Sequence, residues 1–319
     1  MISKKSIERL KELGAKTIMV QAPEGLKPRF KDIASFLEKE GFAPIISVEP
    51  CFGGCDLRDH EAKILGCEAL LHIGHTDFGV KPEIPVVYEP YRVEYNPLPL
   101  LERELDKLRN YRKISVVSTS QFLGSIGPAK EFLEKHGKEV FVGSHRRAGT
   151  AGQVLGCDYT AALPFDKEID CHLYIGTGKF HPLGLAFRTG KPVLSLDIEM
   201  DTLIDYTKEA EKLRKIKAAQ IEKAKEFGIF GIYVSTKPGQ NYINLAKRAK
   251  EKLEGMGKTA VIIAADMLTP EKIMGMKIDC LVNCACPRIW EDYSLFRKIV
   301  LNPEDIGKLA ETESPPIVQ

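Results

Sequence analysis

Eight cysteines are spread through the 319 residues, and their surroundings sort them by the chemistry each can do. Cys55 lies in Phe52-Gly-Gly-Cys-Asp56, and Cys157 ends Gly152-Gln-Val-Leu-Gly-Cys157. Cys286 lies in Asn283-Cys-Ala-Cys-Pro-Arg-Ile289, directly after an apolar run. Glycine or proline beside each of these thiols breaks the regular backbone, which places the three cysteines in loops. Loop thiolates are ligands for metals and iron–sulfur clusters, and a set of three leaves one coordination position for a substrate. Cys67, Cys171 and Cys280 are different, because each opens an apolar run, the setting of a small buried thiol. Two alternatives stay open. One is a zinc site from Cys51, Cys55, Cys284 and Cys286, whose C-x3-C and C-x-C spacings are only loosely zinc-like; the other is a set of plain buried thiols.

The elements that must position these cysteines repeat three times along the chain. Residues 16–22, 113–119 and 230–236 each read as a buried strand followed by a helical stretch. A second strand follows at 44–48, 139–143 and 259–264. A third follows at 66–74, 169–176 and 278–285, and a fourth at 84–88, 191–196 and 298–301. Short apolar strands alternating with helices predict an α/β fold of parallel βαβ units. The expected organisation is three similar domains, each a small parallel sheet with flanking helices, over residues 1–109, 110–200 and 201–319. Loops beyond the carboxyl ends of parallel strands are where such sheets carry chemistry. Each domain offers one cysteine there: Cys55, Cys157 and Cys286. A triangular arrangement of the domains brings the three together. Residues 201–227 are highly charged, with Leu203, Tyr206, Ala210, Leu213 and Ile216 at helical spacing, and read as one long amphipathic helix with a solvated face.

A net charge of +2 argues for neither a nucleic-acid nor a membrane partner. No apolar run approaches the roughly 20 residues of a membrane span, and the first residues read as a helix rather than a signal peptide, so the expected location is cytoplasmic. Cysteines in such a setting are read as metal ligands and buried thiols, not as disulfides.

Several motifs, in order and at wide spacing, carry a family resemblance. They are Pro23-Glu-Gly-Leu26, the Cys55 motif, Gly74-His75, the Cys157 motif, Gly176-Thr-Gly-Lys-Phe-His-Pro182, Ser235-Thr-Lys-Pro-Gly-Gln240 and Ala285-Cys-Pro-Arg288. The chain resembles the archaeal 2-(3-amino-3-carboxypropyl)histidine synthases of diphthamide biosynthesis over nearly its whole length. The resemblance implies three α/β domains about a pseudo-threefold axis, a homodimer, and a 4Fe-4S cluster held by Cys55, Cys157 and Cys286. Cys284 stands where the family pattern has an apolar residue.

The resemblance further implies S-adenosylmethionine as co-substrate and translation elongation factor 2 as protein substrate. An unidentified one-electron reductant would supply a radical transfer of the aminocarboxypropyl group. The cluster loop of ordinary radical S-adenosylmethionine enzymes, C-x3-C-x2-C, is not completed here: Arg58 and Pro287 follow Cys51-x3-Cys55 and Cys280-x3-Cys284 at its third position. Arg288 suits the methionine carboxylate, and Gln240, Ser235 and Thr236 suit the remainder of the co-substrate. His75 and His181 are candidates to line the pocket, and Glu24 to cap a helix. The competing readings are a Lewis-acid 4Fe-4S enzyme similar to quinolinate synthase and a non-catalytic accessory subunit that carries a cluster.

Overall fold

The computed structural model describes residues 2–146 and 150–310; residues 311–319 of the third expected domain lie outside them. It contains three sheets. The first joins β1 (Thr17–Gln21), β2 (Ala43–Ile46), β3 (Ala69–Ile73) and β4 (Val86–Glu89) in the order β2-β1-β3-β4. The second joins β5 (Lys113–Ser118), β6 (Glu139–Phe141), β7 (Cys171–Gly176), β8 (Val193–Asp197) and β9 (Thr202–Asp205) in the order β6-β5-β7-β8-β9. The third joins β10 (Ile229–Ser235), β11 (Thr259–Ala265), β12 (Cys280–Cys284) and β13 (Ile299–Leu301) in the order β11-β10-β12-β13. All pairings are parallel except β8 with β9. The first two sheets belong to one compact unit, Met1–Ala210, and the third to another, Glu211–Gln319.

The same two local devices build all three sheets. Between first and second strands runs a helix, Phe30–Lys39, Ile126–Lys135 or Ile243–Gly255. Gly41, Gly137 and Gly257 follow these helices with positive φ. The next residue's N–H reaches back five positions: Phe42 to Leu37, Lys138 to Leu133 and Lys258 to Leu253. Those backbone turns stop each helix and aim the chain into the second strand, a geometry that glycine adopts without strain.

The second device is an acidic residue beside the cysteine that opens each third-strand run. The Glu68 carboxylate accepts from the N–H groups of Lys16 and Thr17, Asp170 from Arg112 and Lys113, and Asp279 from Gly228 and Ile229. Each pair of bonds pins the start of one first strand to the start of the third. The paired backbone donors hold the Glu68 and Asp170 carboxyls below the usual carboxylate range.

Each sheet packs its own core. Ile18, Val20, Leu71 and Leu37 meet in the first, Val116, Leu173, Leu194 and Leu133 in the second, and Ile232, Val282, Ala249 and Leu253 in the third. Cys67, Cys171 and Cys280 are buried at the starts of the third strands, as their positions predict, and burial pushes all three thiols up.

Residues 201–227 depart from the expected single helix. Asp197 Oδ1 accepts from the N–H groups of Glu199 and Met200, and Asp201 takes a left-handed φ of 51°. This turn folds Thr202–Asp205 back as β9, antiparallel to β8, and the helix begins only at Thr207 and ends at Ala224. Its buried side chains include Lys217, Ile221 and Ala224, whereas Leu213 and Ile216 are only partly covered. Lys217 is therefore not part of a solvated face. Its ammonium lies 2.7 Å from Asp305 and 4.6 Å from the ring centroid of Trp290. Burial lowers its pKa, and the Asp305 carboxylate opposes that shift. Among the described residues no helix is long and apolar enough to cross a membrane.

Candidate functional site

Two of the three loop cysteines sit at the tips of tight turns with glycine just before them. In residues 53–56 the Asp56 N–H donates to the Gly53 carbonyl at 3.0 Å, which places Gly54 and Cys55 at the two central positions. In residues 155–158 the N–H of Leu155 donates to the Asp158 carbonyl at 2.9 Å and Asp158 returns the bond at 3.3 Å, with Gly156 and Cys157 at the centre.

Neither glycine has room for a side chain. A Cβ on Gly54 would lie 2.4 Å from the Thr76 carbonyl oxygen, and one on Gly156 would lie 2.3 Å from the Phe180 ring. Gly152 carries φ +72° and lets residues 152–154 run beside the end of β5, where Ser118 N–H donates to the Gly152 carbonyl and Val154 N–H to the Ser118 carbonyl. The Cys157 turn is thereby delivered to the carboxyl end of the second sheet. Gln153 Nε2 donates to Thr76 Oγ1 at 2.9 Å. Thr76 thus touches the Cys55 turn through its carbonyl and the Cys157 loop through its hydroxyl.

The base of the Cys55 loop is buried and polar. Gln21 Nε2 donates to the Asp56 carbonyl at 2.5 Å, and the N–H of Arg58 donates to Gln21 Oε1 at 3.2 Å. Asp56 is fully buried beside the Arg58 guanidinium, 3.5 Å away.

In the other compact unit, Cys286 follows β12 in a loop braced by asparagines. Asn283 Nδ2 donates to the Cys286 carbonyl at 2.7 Å and to Asn302 Oδ1 at 3.0 Å, and its Oδ1 accepts from Ala285 N–H. Asn302 Nδ2 donates to the Pro287 carbonyl at 3.1 Å, while its backbone N–H donates to Asp305 in a capping box. Burial pushes the Cys286 thiol up, but the Arg288 N–H and guanidinium and the Lys237 ammonium oppose the shift. Cys284, buried within β12, is pushed up to about 12 by burial, with Glu304 adding to the shift. Of the eight cysteines, Cys157 is exposed, Cys55 and Cys286 are partly exposed, and the other five are buried.

The remaining residues named from sequence have definite partners. The Arg288 guanidinium is buried and paired with Glu291 through both nitrogens of one edge, Nη2 at 2.7 Å from Oε2 and Nε on Oε1. Ser235 Oγ donates to the Asp266 carbonyl at 2.9 Å and accepts from Lys237 N–H. Thr236 is exposed beyond β10, and Gln240 is buried on the short turn Pro238–Gln240. Cys286 and Arg288 therefore lie beyond the carboxyl end of β12 and Thr236 and Gln240 beyond that of β10, while Ser235 is the last residue of β10 itself. His181 stacks on Tyr174, Glu24 is exposed and paired with Lys27, and His75 is hydrogen-bonded to His72 at 2.9 Å. The bracing roles of Thr76, Asn283 and Asn302 were not legible in the sequence. An asparagine or threonine at a strand end is common, and only the backbone it supports distinguishes it.

Three α/β sheets that share the order of their first four strands, each with one cysteine that is not buried in a loop beyond its strands, define a class of protein built from repeated domains. Comparison with known proteins gives the family. Residues 22–314 match the family described as putative diphthamide synthesis protein, and the chain belongs to it. It is 36% identical over 308 residues to the 2-(3-amino-3-carboxypropyl)histidine synthase of Pyrococcus horikoshii, covering 94% of this chain and 87% of that protein. The enzyme of the same name from Methanocaldococcus jannaschii is 27% identical, with 94% and 86% of the two chains covered. The crystal structure of Dph2 from Pyrococcus horikoshii with a 4Fe-4S cluster superimposes with a TM-score of 0.89 at 35% identity, over 97% of this chain and 91% of that one.

Proposed function

We propose that this chain transfers the 3-amino-3-carboxypropyl group of S-adenosylmethionine to a histidine of translation elongation factor 2. Cys55, Cys157 and Cys286 would hold a 4Fe-4S cluster for this reaction. The observation that carries the reading is the sorting of the cysteines: only these three of eight are not buried, and each lies in a loop beyond parallel strands. Support also comes from the structure of a relative of the same fold, which contains a 4Fe-4S cluster. An arrangement of the three sheets about a pseudo-threefold axis, a homodimer, an external one-electron reductant and a cytoplasmic setting are parts of the same reading. The four-cysteine zinc alternative is weakened at Cys284, which lies within β12 with its thiol pushed up to about 12 by burial.

When bound, such a cluster supplies the electron that cleaves the bond from sulfonium to methionine γ-carbon, leaving methylthioadenosine. The chain's own residues position and shield. Gly54 and Gly156 let two turn backbones approach a bulky centre. The Arg288 N–H and the Lys237 ammonium favour the thiolate of Cys286. Gln240, Ser235 and Thr236 would orient the co-substrate from the end of β10, and the Arg288 edge would receive its carboxylate in exchange for Glu291.

The test is anaerobic protein, iron-loaded, reduced with dithionite and given S-adenosylmethionine with elongation factor 2. Methylthioadenosine and a modified histidine should form together. Cys55→Ala, Cys157→Ala and Cys286→Ala should each abolish both, whereas Cys67→Ala and Cys171→Ala should cost about 1–2 kcal/mol of stability and little activity. Absence of methylthioadenosine from the parent protein would refute the reading in favour of Lewis-acid chemistry. Full activity in Cys286→Ala would move the ligand to Cys284.

A further inference from the structure

Beneath the Cys55 turn lies a second set of ligating side chains that the cluster reading does not use. Cys51 Sγ is 4.0 Å from His72 Nε2 and 4.0 Å from His75 Nδ1, and the two imidazole nitrogens are 2.9 Å apart. All the donor atoms lie within 4.8 Å of one another. Cys51 comes from the loop after β2, His72 from β3, and His75 from the loop that follows it. Cys51 and His72 are buried and His75 is partly open to solvent, so the group has a closed floor and one accessible side.

The surrounding hydrogen bonds fix which atom of His72 faces the group. Arg58 N–H points at Gln21 Oε1, and Gln21 Nε2 points at the Asp56 carbonyl, so the amide cannot be turned over. His72 Nδ1, 3.3 Å from the same Oε1, must therefore carry the hydrogen and donate it. The Nε2 lone pair of neutral His72 then faces Cys51 and His75. A carbonyl-type oxygen on the far nitrogen is the arrangement that orients metal-binding histidines. Burial also holds both rings neutral, with His72 lowered to about 3, chiefly by desolvation, and His75 to about 4 for the same reason.

We propose that Cys51 Sγ, His72 Nε2 and His75 Nδ1 form a site for one borderline divalent transition cation, zinc in the first instance, distinct from the cluster. Tetrahedral zinc with these donors has N···N of about 3.3 Å and S···N of about 3.6 Å, from bond lengths of roughly 2.0–2.1 and 2.3 Å. The observed triangle needs shifts of only about 0.4 Å at each edge to reach that shape. Binding takes one proton from the Cys51 thiol to solvent. In the metal-free chain His75 Nδ1–H donates to His72 Nε2; on binding, that hydrogen passes by way of solvent to His75 Nε2, and the ring stays neutral. The buried group then carries one net positive charge, and a solvent molecule takes the fourth position on the open side. The consequence is a brace between the Cys55 loop and the loop after β3.

The inference stands apart from the cluster assignment, and its experiment separates the two. Full-length protein, iron-loaded anaerobically and in parallel metal-free, is given equimolar zinc, freed of excess by gel filtration, analysed for metal and examined at the zinc absorption edge. The expected result in both preparations is one zinc per chain with one sulfur and two imidazole ligands. Cys51→Ser and His75→Gln should each weaken zinc binding by about 10- to 100-fold or more, with circular dichroism unchanged. Three or four sulfur ligands would mean that zinc occupies the cluster cysteines, and would overturn the proposal. So would zinc that fails to remain bound, or an affinity unchanged in both variants.

Discussion

Gly54 and Gly156 occupy the same place, one residue ahead of a loop cysteine, yet alanine at the two should have different consequences. The added methyl would come to 2.4 Å from the Thr76 carbonyl oxygen in one case and to 2.3 Å from a Phe180 ring carbon in the other. Each must open by roughly 1 Å to reach ordinary contact. The Phe180 side is 48% exposed, so its ring can swing into solvent. The Thr76 side is backbone, and that residue's hydroxyl also holds Gln153 at 2.9 Å. Gly54→Ala should therefore cost about 1–3 kcal/mol by overpacking, whereas Gly156→Ala should stay within about 0.5 kcal/mol. Because a 1 Å misplacement of a positioning group can cost about 100-fold in rate, Gly54→Ala should also lose most of its methylthioadenosine formation and retain less iron. Urea unfolding gives the first quantity, and iron per chain with single-turnover product gives the second. Equal losses in the two variants, or a Gly54→Ala protein indistinguishable from its parent, would refute the argument that Thr76 couples the two turns.

Lys217→Met should destabilise the chain by about 3–5 kcal/mol, because Asp305 stays buried and tied to the Asn302 N–H with its counter-charge gone; adding Asp305→Asn should recover part of the loss in thermal melts. Asn283→Leu strips two donors from the Cys286 loop and should cost about 2–3 kcal/mol, with iron retention falling more than in a surface control. Metal-free protein should lose stability as pH falls from 7 to 5. Below about pH 6.5 the unfolded chain protonates histidine, while folded His72 does so only near pH 3. The unfolded state then binds more protons, and the loss from His72 alone is about 2 kcal/mol at pH 5. His75, lowered to about 4 by burial, adds to the loss in the same direction. Denaturation midpoints at the two pH values should differ less in His75→Gln than in the parent, and an identical dependence would contradict the assignment of a neutral buried pair.

The three sheets and their strand starts were readable because buried parallel strands are continuous apolar runs, and the third strands even announce themselves with an acidic residue next to a cysteine. What the pattern did not reveal was the reason for that acid, a carboxylate receiving two N–H groups of a neighbouring strand, since the partners lie about 50 residues away. β9 was hidden for a different reason. Leu203 and Tyr206 fit a helical stripe as well as a strand edge, and only the Asp197 side chain, bonding forward to Glu199 and Met200, decides for a turn. Lys217 looked like one more charge on a solvated helix because its ion partner and its aromatic neighbour come from much later in the chain. Loop position nominated Cys55, Cys157 and Cys286 with two alternatives still open, the family resemblance favoured them, and their exposure follows the same division. The Cys51–His72–His75 group was not visible as a group, because its members sit on two loops and a strand.

The chain has a single tryptophan, and Trp290 lies almost wholly buried under the Lys217 ammonium. Its emission thus originates entirely in the unit Glu211–Gln319 and acts as a local optical gauge of that part. Far-ultraviolet circular dichroism averages over helices throughout the molecule. Melting curves from the two signals that superimpose would describe one cooperative transition; curves that separate would show the carboxyl-terminal unit losing its packing at a different temperature from the rest.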